Sequence, residues 1–579
     1  MRSLADERWT EITDRAFDLM TAIEQARDRH GRTIADRFQF DGTSLWFLIR
    51  DALFERDAGI LDMVARAIGT PHFAEESFDT CHAPKPIEAS EPSFGSFNRR
   101  FAQAKSAIQV FGRTALTANR QLAPSRILVV TPHGGASRGD LELPLDRWTS
   151  PYRTLLHGPG VTWISLFPPS QSVSWTRNLL SDWQSISDGR YVPWQAGLTA
   201  HNLLFLAYMR ARFRRQLTLL WSDAVWRNSW SDAMPPRIRT TTIENLKDVF
   251  HALDRDLGLA WLLLVAAAAI IRRTRPSLII TFDTLGNAGR AFAHAAQRPK
   301  IRTVGVQTGI ISTTGIANIG YRLARSDARA PRPDDLLLWG PRYEATLASF
   351  GWPTTSLHST GFPDDQSSQP SFVPQSSDHS SSRLVVRTIL VLANANMGIC
   401  AAIVRPEDEL RLMAGIIRAV SQQSFRMPLR LLIRCHPTTV NSPYGRAIAH
   451  LCSTDGNVDF DDAGVPLIQR IHESDIIFGS SSTGLIEAAR AGKPVVVLAP
   501  SGIDITGFQQ YGVPVIEESD DIAARIDDIL NDHAKLALAR ERLVAHAAPD
   551  LDLFNLNQMI DTWMQIEKEG QVDIAIGQP

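Results

Sequence analysis

Hydroxyl-bearing residues cluster at one strand-to-helix turn in the C-terminal third of the chain. Residues 475–500 read as an apolar strand, a polar turn, a helix start and a second apolar strand, DIIFGSSSTGLIEAARAGKPVVVLAP. The turn carries four hydroxyl side chains, those of Ser480, Ser481, Ser482 and Thr483. Because the first N–H groups of a helix lack intrahelical partners and carry the positive end of its dipole, we predict an anion site here. Glu487 follows one helical turn later and is placed to reach the ribose of a nucleotide whose phosphates occupy the turn.

A second polar pair ends an upstream apolar strand, RLLIRCHP at residues 430–437. Arg434 and His436 have the period-two spacing that places them on one strand face, and Pro437 ends the strand. Ligands of open α/β sheets bind beyond the carboxyl ends of the strands, where a guanidinium and an imidazole can bind phosphate. A capping arginine and a surface histidine fit the same pattern. The Ser-rich turn downstream favours the binding interpretation.

These two segments resemble the C-terminal donor domain of GT-B glycosyltransferases. The pattern is Arg-x-His-Pro followed by Ser-Ser-Thr-Gly-x-x-Glu-Ala-x-x-x-Gly-Lys-Pro, and it is most similar to enzymes that build bacterial capsules and other surface polysaccharides. Polysialyltransferases, Kdo transferases and the CDP-glycerol glycerophosphotransferases share these signals. The resemblance continues through residues 276–313 and 336–361 and spans roughly residues 276 to 518, less than half of the chain.

The resemblance implies a role for each matching residue. His436 would contact the donor phosphates, Ser480–Thr483 would hold the phosphate or leaving group, and Glu487 would bind the donor ribose. Asp283 would be the acidic residue that faces the cleft from the N-terminal domain. The resemblance therefore implies a nucleotide-sugar donor and a glycan or lipid-linked acceptor.

One departure from the family concerns the general base. Relatives carry Gln-His-Gly where this chain has Gln307-Thr308-Gly309, and a threonine cannot act as a base near neutral pH. Either the base comes from elsewhere, or the chain is a weak or inactive relative. Asp283 follows the predicted strand 278–282 and could deprotonate an acceptor hydroxyl, or equally cap the next helix. His133, in the Gly-rich turn after the strand 126–131, is the alternative base, or a turn histidine with no role.

No metal or resident cofactor is predicted. Asp459-Phe460-Asp461 has the Asp-x-Asp form that can hold a divalent cation, but it closes a short strand in a turn, where Asp is common anyway. Neither GxxxxGK[ST] nor GxGxxG occurs, which argues against an ATPase and a dinucleotide dehydrogenase. A helix N-terminus, Arg434 and His436 could meet the charge of a donor diphosphate instead.

Composition indicates an ordinary globular protein long enough for two or more domains. The chain has 579 residues, of which 44% are hydrophobic and 21% charged, and a net charge of −2 that gives no reason to expect nucleic acid as a partner. Its four cysteines lack CxxC spacing, so neither a disulfide framework nor a zinc site is expected. Reduced thiols and a charged, amphipathic N-terminus without signal-peptide character predict a cytoplasmic protein.

Two segments bear on membranes. The longest apolar run, residues 257–271, is shorter than the ~18–20 residues that span a bilayer and is interpreted as a buried helix. Residues 203–230 are rich in Trp and Arg, with four arginines set among apolar residues, at Arg210, Arg212, Arg214 and Arg215. Such a helix can lie at the inner face of a membrane or hold a lipid-linked acceptor, or it can be a surface helix with a solvated arginine face.

The elements that position these residues predict an α/β fold with parallel sheets. Strands alternate with helices from residue 126 onwards, and the Ser/Pro-rich stretch 364–383 reads as a linker. We predict a helical N-terminal extension over 1–120, an N-terminal Rossmann-like acceptor domain over 121–363, and a C-terminal Rossmann-like donor domain with a helical tail over 384–579. The two domains would face a cleft, as in GT-B enzymes.

The function predicted from these features is a metal-independent glycosyltransferase. It would move a sugar from a nucleotide-sugar donor to a surface polysaccharide or glycolipid acceptor. Three alternatives stay open: a CDP-glycerol-type glycerophosphotransferase, a catalytically silent GT-B-like protein that binds a nucleotide or glycan, and a nucleotide-sugar 2-epimerase, which shares the fold.

Overall fold

A computed structural model describes most of the chain. The described residues are 4–40, 43–55, 64, 122, 124–131, 152, 155–156, 160–166, 191–231, 236–312, 317–363, 387–393, 406–422, 425, 428–436, 439–440, 442–453, 457–502 and 504–576. His133 and the predicted linker 364–383 lie outside them.

The described part of the N-terminal segment is mainly helical. It contains α1 (Leu4–Gln25), α2 (Ile34–Arg37), a short antiparallel pair β1 (Gln39–Phe40) and β2 (Thr43–Ser44), and α3 (Trp46–Glu55). Apolar residues three and four apart in α1, such as Ile12, Ala16 and Leu19, are buried. This face of α1 therefore joins the core of the protein.

The first sheet has seven parallel strands in the order β5-β4-β3-β6-β7-β8-β9. The strands are β3 (Ile127–Thr131), β4 (Val161–Ser165), β5 (Tyr191–Pro193), β6 (Leu278–Thr281), β7 (Arg302–Val306), β8 (Asp335–Leu338) and β9 (Leu357–Ser359). The chain leaves β3 towards one edge and returns beside it as β6. This order is that of a doubly wound Rossmann sheet, and its switch point lies between β3 and β6.

Helices cover the first sheet. They are α4 (Ala200–Ser222), α5 (Ala224–Ser231), α6 (Pro236–Thr274), α7 (Asn287–Gln297), α8 (Ala317–Ser326) and α9 (Pro341–Ser349). The apolar run predicted to form a buried helix lies in α6, where Leu257, Ala260 and Ile270 are fully buried. In the described part of the chain one segment, Leu246–Thr274, is long and apolar enough to cross a bilayer, but 67% of its apolar window is buried in the fold. Such burial is typical of a core helix.

The second sheet has six parallel strands in the order β12-β11-β10-β13-β14-β15. The strands are β10 (Arg387–Ala393), β11 (Leu429–Cys435), β12 (Val458–Asp461), β13 (Ile476–Gly479), β14 (Val495–Ala499) and β15 (Val515–Glu517). The helices between and after them are α10 (Pro406–Gln422), α11 (Pro443–Cys452), α12 (Leu467–Glu473), α13 (Gly484–Arg490) and α14 (Ile522–Asn531). Two Rossmann-like sheets confirm the predicted fold class, α/β of the GT-B type.

The C-terminal helices connect the two sheets. Helix α15 (His533–Ala547) packs near α13, and α16 (Leu553–Ile576) returns to the first sheet. There Leu556, Ile560 and Trp563 share a core cluster with Val129 of β3 and Ile280 of β6. The helical tail therefore packs against both sheets.

Candidate functional site

The predicted donor residues lie at the switch point of the second sheet. Strand β10 pairs with β13 on one side, Leu392 opposite Gly479, and with β11 on the other, Ala393 opposite Cys435. The Ser-rich turn begins directly after Gly479, and the backbone N–H of His436 donates to the carbonyl of Ala393 at 3.2 Å. The turn and His436 therefore flank the carboxyl end of β10, where open α/β sheets bind ligands.

A buried carboxylate ties this switch point together. The Oγ of Ser480 donates to Oε1 of Glu409 at 2.7 Å, and the hydroxyl of Tyr444 donates to Oε2 of the same residue. Glu409 is 0% and Ser480 1% exposed. Glu409 lies in the first turn of α10, Tyr444 in α11 and Ser480 after β13, so one side chain holds the segments that follow β10, β11 and β13. The hydroxyl of Ser480 is therefore committed to the fold.

The backbone amides at the start of α13 correct one expectation. The N–H of Gly484 donates to Oγ of Ser482 at 3.1 Å, and those of Leu485 and Ile486 donate to the carbonyls of Ser482 and Thr483. These amides are satisfied within the turn, and α13 has only seven residues. These three N–H groups therefore do not provide the unpaired donors of the predicted anion site.

Several of the predicted donor side chains are accessible to a ligand at this edge of the sheet. Ser481, Ser482, Thr483 and His436 are all partly exposed, and so is Glu487, one turn into α13. Their role in binding stays a prediction. It now depends on hydroxyl, imidazole and carboxylate groups rather than on the amides of the first helical turn.

Arg434 is engaged by the neighbouring strand. Its guanidinium Nη1 donates to Oδ2 of Asp461 on β12 at 2.9 Å, and both side chains are buried. Nε of Arg470 donates to the same oxygen, also at 2.9 Å. These contacts support the alternative interpretation of Arg434 as a capping arginine. Its contact with a donor phosphate stays a prediction.

The Asp-x-Asp triplet on β12 is likewise bound to arginines. Asp459 pairs with Arg430 at 2.7 Å on the exposed side of the sheet, whereas Asp461 pairs with Arg434 and Arg470. Within the described ranges no group of three or more His, Cys, Asp or Glu side chains is placed to hold a metal ion.

Two buried thiols lie on β11 and α11. Cys435 at the end of β11 and Cys452 at the end of α11 are free and buried. Burial, with the nearby carboxylate of Glu409, raises the pKa of Cys435 to about 12, and burial raises the pKa of Cys452 to about 11. Neither thiol is a nucleophile near neutral pH.

Asp283 lies at the switch point of the first sheet. The N–H of Phe282 donates to the carbonyl of Val130 on β3, and Oδ2 of Asp283 accepts a 2.9 Å hydrogen bond from the N–H of Gly289 in α7. A Cβ on Gly286 would lie 1.9 Å from Oδ1 of Asp283, so only glycine fits under this carboxylate. Asp283 therefore caps α7, as one of the two interpretations predicted. Its role as a base stays a prediction. His133, the alternative base, follows β3 but is outside the described residues.

The Gln307-Thr308-Gly309 turn follows β7, next to Asp283. Nε2 of Gln307 donates to the carbonyl of Gly309 at 2.7 Å, and its Oε1 accepts from the N–H of Trp339 at 2.9 Å. Gln307 is buried and serves to hold the turn against the end of β8, while Thr308 is partly exposed. Thr308 is therefore accessible, but it carries no base at the position where the enzymes that this sequence resembles have histidine.

A loop after β14 joins the second half to the first. The carboxylate of Asp504 accepts hydrogen bonds from three backbone N–H groups and one hydroxyl within residues 506–509. Outward from this loop, the carbonyl of Ile505 accepts from Oγ of Ser312 at 2.6 Å, and that of Thr506 accepts from Arg342. The guanidinium of Arg342 also lies 5.1 Å from the ring centre of Phe508. This buried contact holds the two halves together beside the switch points.

Sequence reasoning missed Glu409, Tyr444 and Arg342. The acidic residue in PEDEL looks like an ordinary first-turn acid, since helices favour acids there whether or not they contact anything. Arg342 follows Trp-Gly-Pro in a segment that the resemblance covers, but its partner in the loop after β14 lies 164 residues away. These residues are distinguished by the burial of their polar groups, which is visible only in the folded structure.

No family model matches this sequence, and neither does any curated protein. Solved structures match it weakly. One is S. aureus MnaA with UDP, at 13% identity and a TM-score of 0.42, with 75% of this chain and 95% of that chain covered. Another is UDP-GlcNAc 2-epimerase from Neisseria meningitidis with UDP-GlcNAc, at 12% and 0.40, covering 76% and 98%. A third is Anabaena HepE with UDP-glucose, at 13% and 0.40, covering 76% and 99%. Likeness this weak carries no conclusion about the ligand or reaction of this chain.

Proposed function

We propose that this protein is a metal-independent glycosyltransferase that uses a nucleotide-sugar donor and a surface polysaccharide or glycolipid acceptor. The observation that carries the proposal is the placement of the motif residues. His436 and Ser481–Thr483 lie on the two sides of β10 at one switch point, and Asp283 lies at the switch point of the other sheet. Residues of the segments that resemble GT-B enzymes thus lie at the carboxyl edges of both Rossmann-like sheets. Ligands of open α/β sheets bind at such edges.

The proposed chemistry divides between the halves. His436 and the hydroxyls of Ser481, Ser482 and Thr483 would donate hydrogen bonds to the donor diphosphate and stabilise the charge that develops as the leaving group departs. Glu487 would accept hydrogen bonds from the ribose hydroxyls. The proton of the acceptor hydroxyl would pass to Asp283 or His133 as the new glycosidic bond forms and the bond to the diphosphate breaks.

A second candidate is a protein that binds a nucleotide but does not transfer a sugar. Two observations favour it. Thr308 stands where relatives have histidine, and the carboxylate of Asp283 already caps α7 through Gly289. A binding protein needs the groups at the second sheet alone, so this candidate shares the donor site and differs in the first sheet.

Calorimetric titration with UDP, GDP, CMP and CDP, with and without Mg²⁺, tests the donor site. We expect one nucleotide to bind independently of Mg²⁺, and the Ser481→Ala/His436→Ala variant to lose about 100-fold or more in affinity, since each group donates to a charged ligand. The matched control is Ser453→Ala/His450→Ala, an exposed Ser and His at the end of α11 on the opposite edge of the sheet. The control should bind as the wild type does.

The same titration separates the candidates. No binding by any of the four nucleotides contradicts the donor site and both functions built on it. Binding of CDP alone moves the assignment to a glycerophosphotransferase. When a nucleotide binds, incubation of the matching nucleotide-sugar without acceptor distinguishes an epimerase, which converts the sugar, from a transferase. Binding without turnover in the presence of lipid-linked and polysaccharide acceptors supports the binding protein.

A further inference from the structure

Helix α4 exposes apolar and cationic side chains on one face. Its solvent side carries Leu204, Tyr208, Arg212, Arg215 and Leu219, at spacings of four, four, three and four residues. At 100° per residue these five positions fall within an arc of about 80° and extend for about 22 Å along the helix. We call this set the α4 stripe.

The apolar members of the stripe are unusually exposed. Leu204 is 80%, Tyr208 56% and Leu219 48% exposed, and Phe205 beside them is 36% exposed. The opposite face of the same helix buries Met209, Phe213, Leu217 and Leu220 in the core. Helix α4 is therefore apolar on both faces, so burial in the monomer explains only one of them.

The charges on α4 are of one sign. Its 23 residues include four arginines and neither Asp nor Glu. Arg210 and Arg214 both donate to Asp254 of α6 at 3.1 Å, which fastens α4 to the long core helix. Arg212 and Arg215, in contrast, make no ion pair or hydrogen bond with the residues that the structure describes. The stripe therefore presents two uncompensated positive charges between its apolar residues.

Close packing against α6 holds helix α4 in place. A Cβ on Gly258 of α6 would lie 2.8 Å from Cγ of Arg210, so the two helices approach closely at this glycine. Leu259, the next residue of α6, is a further exposed apolar side chain, at 43%. The ring of Phe205 packs 5.8 Å from that of Trp261.

We propose that the α4 stripe docks on the surface of an anionic phospholipid bilayer. Leucine side chains gain by entering the region between headgroups and acyl chains, and a tyrosine is favoured at that depth because its ring is apolar and its hydroxyl polar. Arg212 and Arg215 then lie level with lipid phosphates and attract them, whereas an acidic side chain would be repelled. The helix would lie in the plane of the interface without crossing it. This inference does not depend on the nucleotide site.

Sedimentation of the full chain with vesicles tests the proposal. We expect binding to vesicles of phosphatidylcholine with phosphatidylglycerol, and little binding to phosphatidylcholine alone. Arg212→Glu/Arg215→Glu should lower the partition coefficient by at least about tenfold, and Leu204→Ser/Leu219→Ser by about tenfold. All four residues are on the surface, so both variants should keep the wild-type unfolding temperature and nucleotide affinity.

A matched control variant tests whether vesicle binding is specific to α4, and light scattering measures the oligomeric state. Leu538→Ser/Arg542→Glu alters an exposed leucine and arginine on α15 and should bind vesicles as the wild type does. Equal binding of the wild type and both α4 variants would overturn the proposal, and so would equal binding to neutral and anionic vesicles. If the wild type is a dimer in solution that the α4 variants convert to a monomer, and no vesicles bind, the partner is a second copy of this chain.

Discussion

The hydroxyl of Ser480 donates a 2.7 Å hydrogen bond to the carboxylate of Glu409, 71 residues earlier in the chain. Because Glu409 also accepts from Tyr444, the Ser-rich turn is held by the same group that holds the segment after β11. The first hydroxyl of the turn thus positions the others. Glu409 is therefore expected to affect binding of the proposed donor without contacting it.

We expect Glu409→Ala to lower both stability and nucleotide affinity. The substitution leaves the hydroxyls of Ser480 and Tyr444 buried without their acceptor, at a cost of about 2–4 kcal/mol in the free energy of unfolding. Urea unfolding and calorimetry measure the two effects. Glu407→Ala, an exposed acid in the same helical turn, is the control and should change neither. If Glu409→Ala binds nucleotide with wild-type affinity, the turn does not depend on this carboxylate.

The ion pairs on β11 and β12 form a natural comparison. Arg434–Asp461 is buried and Arg430–Asp459 is exposed, although their aspartates are only two residues apart on β12 and the distances are similar, at 2.9 and 2.7 Å. Asp461→Ala should cost about 3–5 kcal/mol of unfolding free energy, because it leaves the Arg434 guanidinium buried without its main partner. Asp459→Ala should cost less than about 1 kcal/mol, as expected for a solvated pair. Equal losses in denaturant titrations would show that burial does not govern these pairs.

Asp283 can be tested as a base separately from its role as a cap. Asp283→Asn keeps an oxygen that can accept from the N–H of Gly289, so the fold should tolerate it, whereas Asp283→Ala should lose the cap and about 1 kcal/mol of stability. If Asp283 is the base, Asn lowers kcat by about 10²–10⁴-fold without a matching change in nucleotide affinity. Wild-type kcat in Asp283→Asn would leave Asp283 with the capping role alone and direct attention to His133.

The sequence predicted the sheets well and the partners of charged residues poorly. Strands such as β10 and β14 are continuous apolar runs, because both faces of a parallel sheet are buried, and such runs are visible without a structure. Strands β5 and β9 have three residues each and include Pro193 and His358, so no apolar run marked them. Short edge strands depend on the neighbour that they pair with, which the local sequence does not specify.

The sequence placed His436 and the run of serines at the ends of two strands, but it did not give their contacts. The ends of β11 and β13 are marked by His-Pro and by the run of serines, so these positions followed from the order of the segments along the chain. That Arg434 pairs with Asp461, and Ser480 with Glu409, depends on register across separate elements. A pattern identifies which residues reach the edge of the sheet. It does not show which of them are already bonded there.

Gly507 is expected to matter for the contact between the halves. Its φ of 65° favours glycine, and a Cβ there would lie 2.7 Å from Nη2 of Arg342. Gly507→Ala should therefore cost about 1–2 kcal/mol for the left-handed backbone and about 1.5–3 kcal/mol more if the guanidinium loses the Thr506 carbonyl. Gly351→Ala is the control, because its φ is 83° but a Cβ there meets nothing within 4 Å. Thermal unfolding should show the larger loss for Gly507→Ala, and equal losses would mean that Arg342 moves aside without cost.

The buried thiols report on whether β11 and α11 stay packed in the native protein. With its pKa raised to about 12 by burial and by Glu409, Cys435 has a thiolate fraction of only about one in 10,000 at pH 8. We expect iodoacetamide to leave Cys435 and Cys452 unmodified in the native protein, as measured by mass spectrometry of their peptides, and to modify both after denaturation. Glu409→Ala should admit the reagent faster, since Cys435 lies beneath the turn that Glu409 holds. Rapid labelling of Cys435 in the native wild type would show that this region opens far more often than its burial indicates.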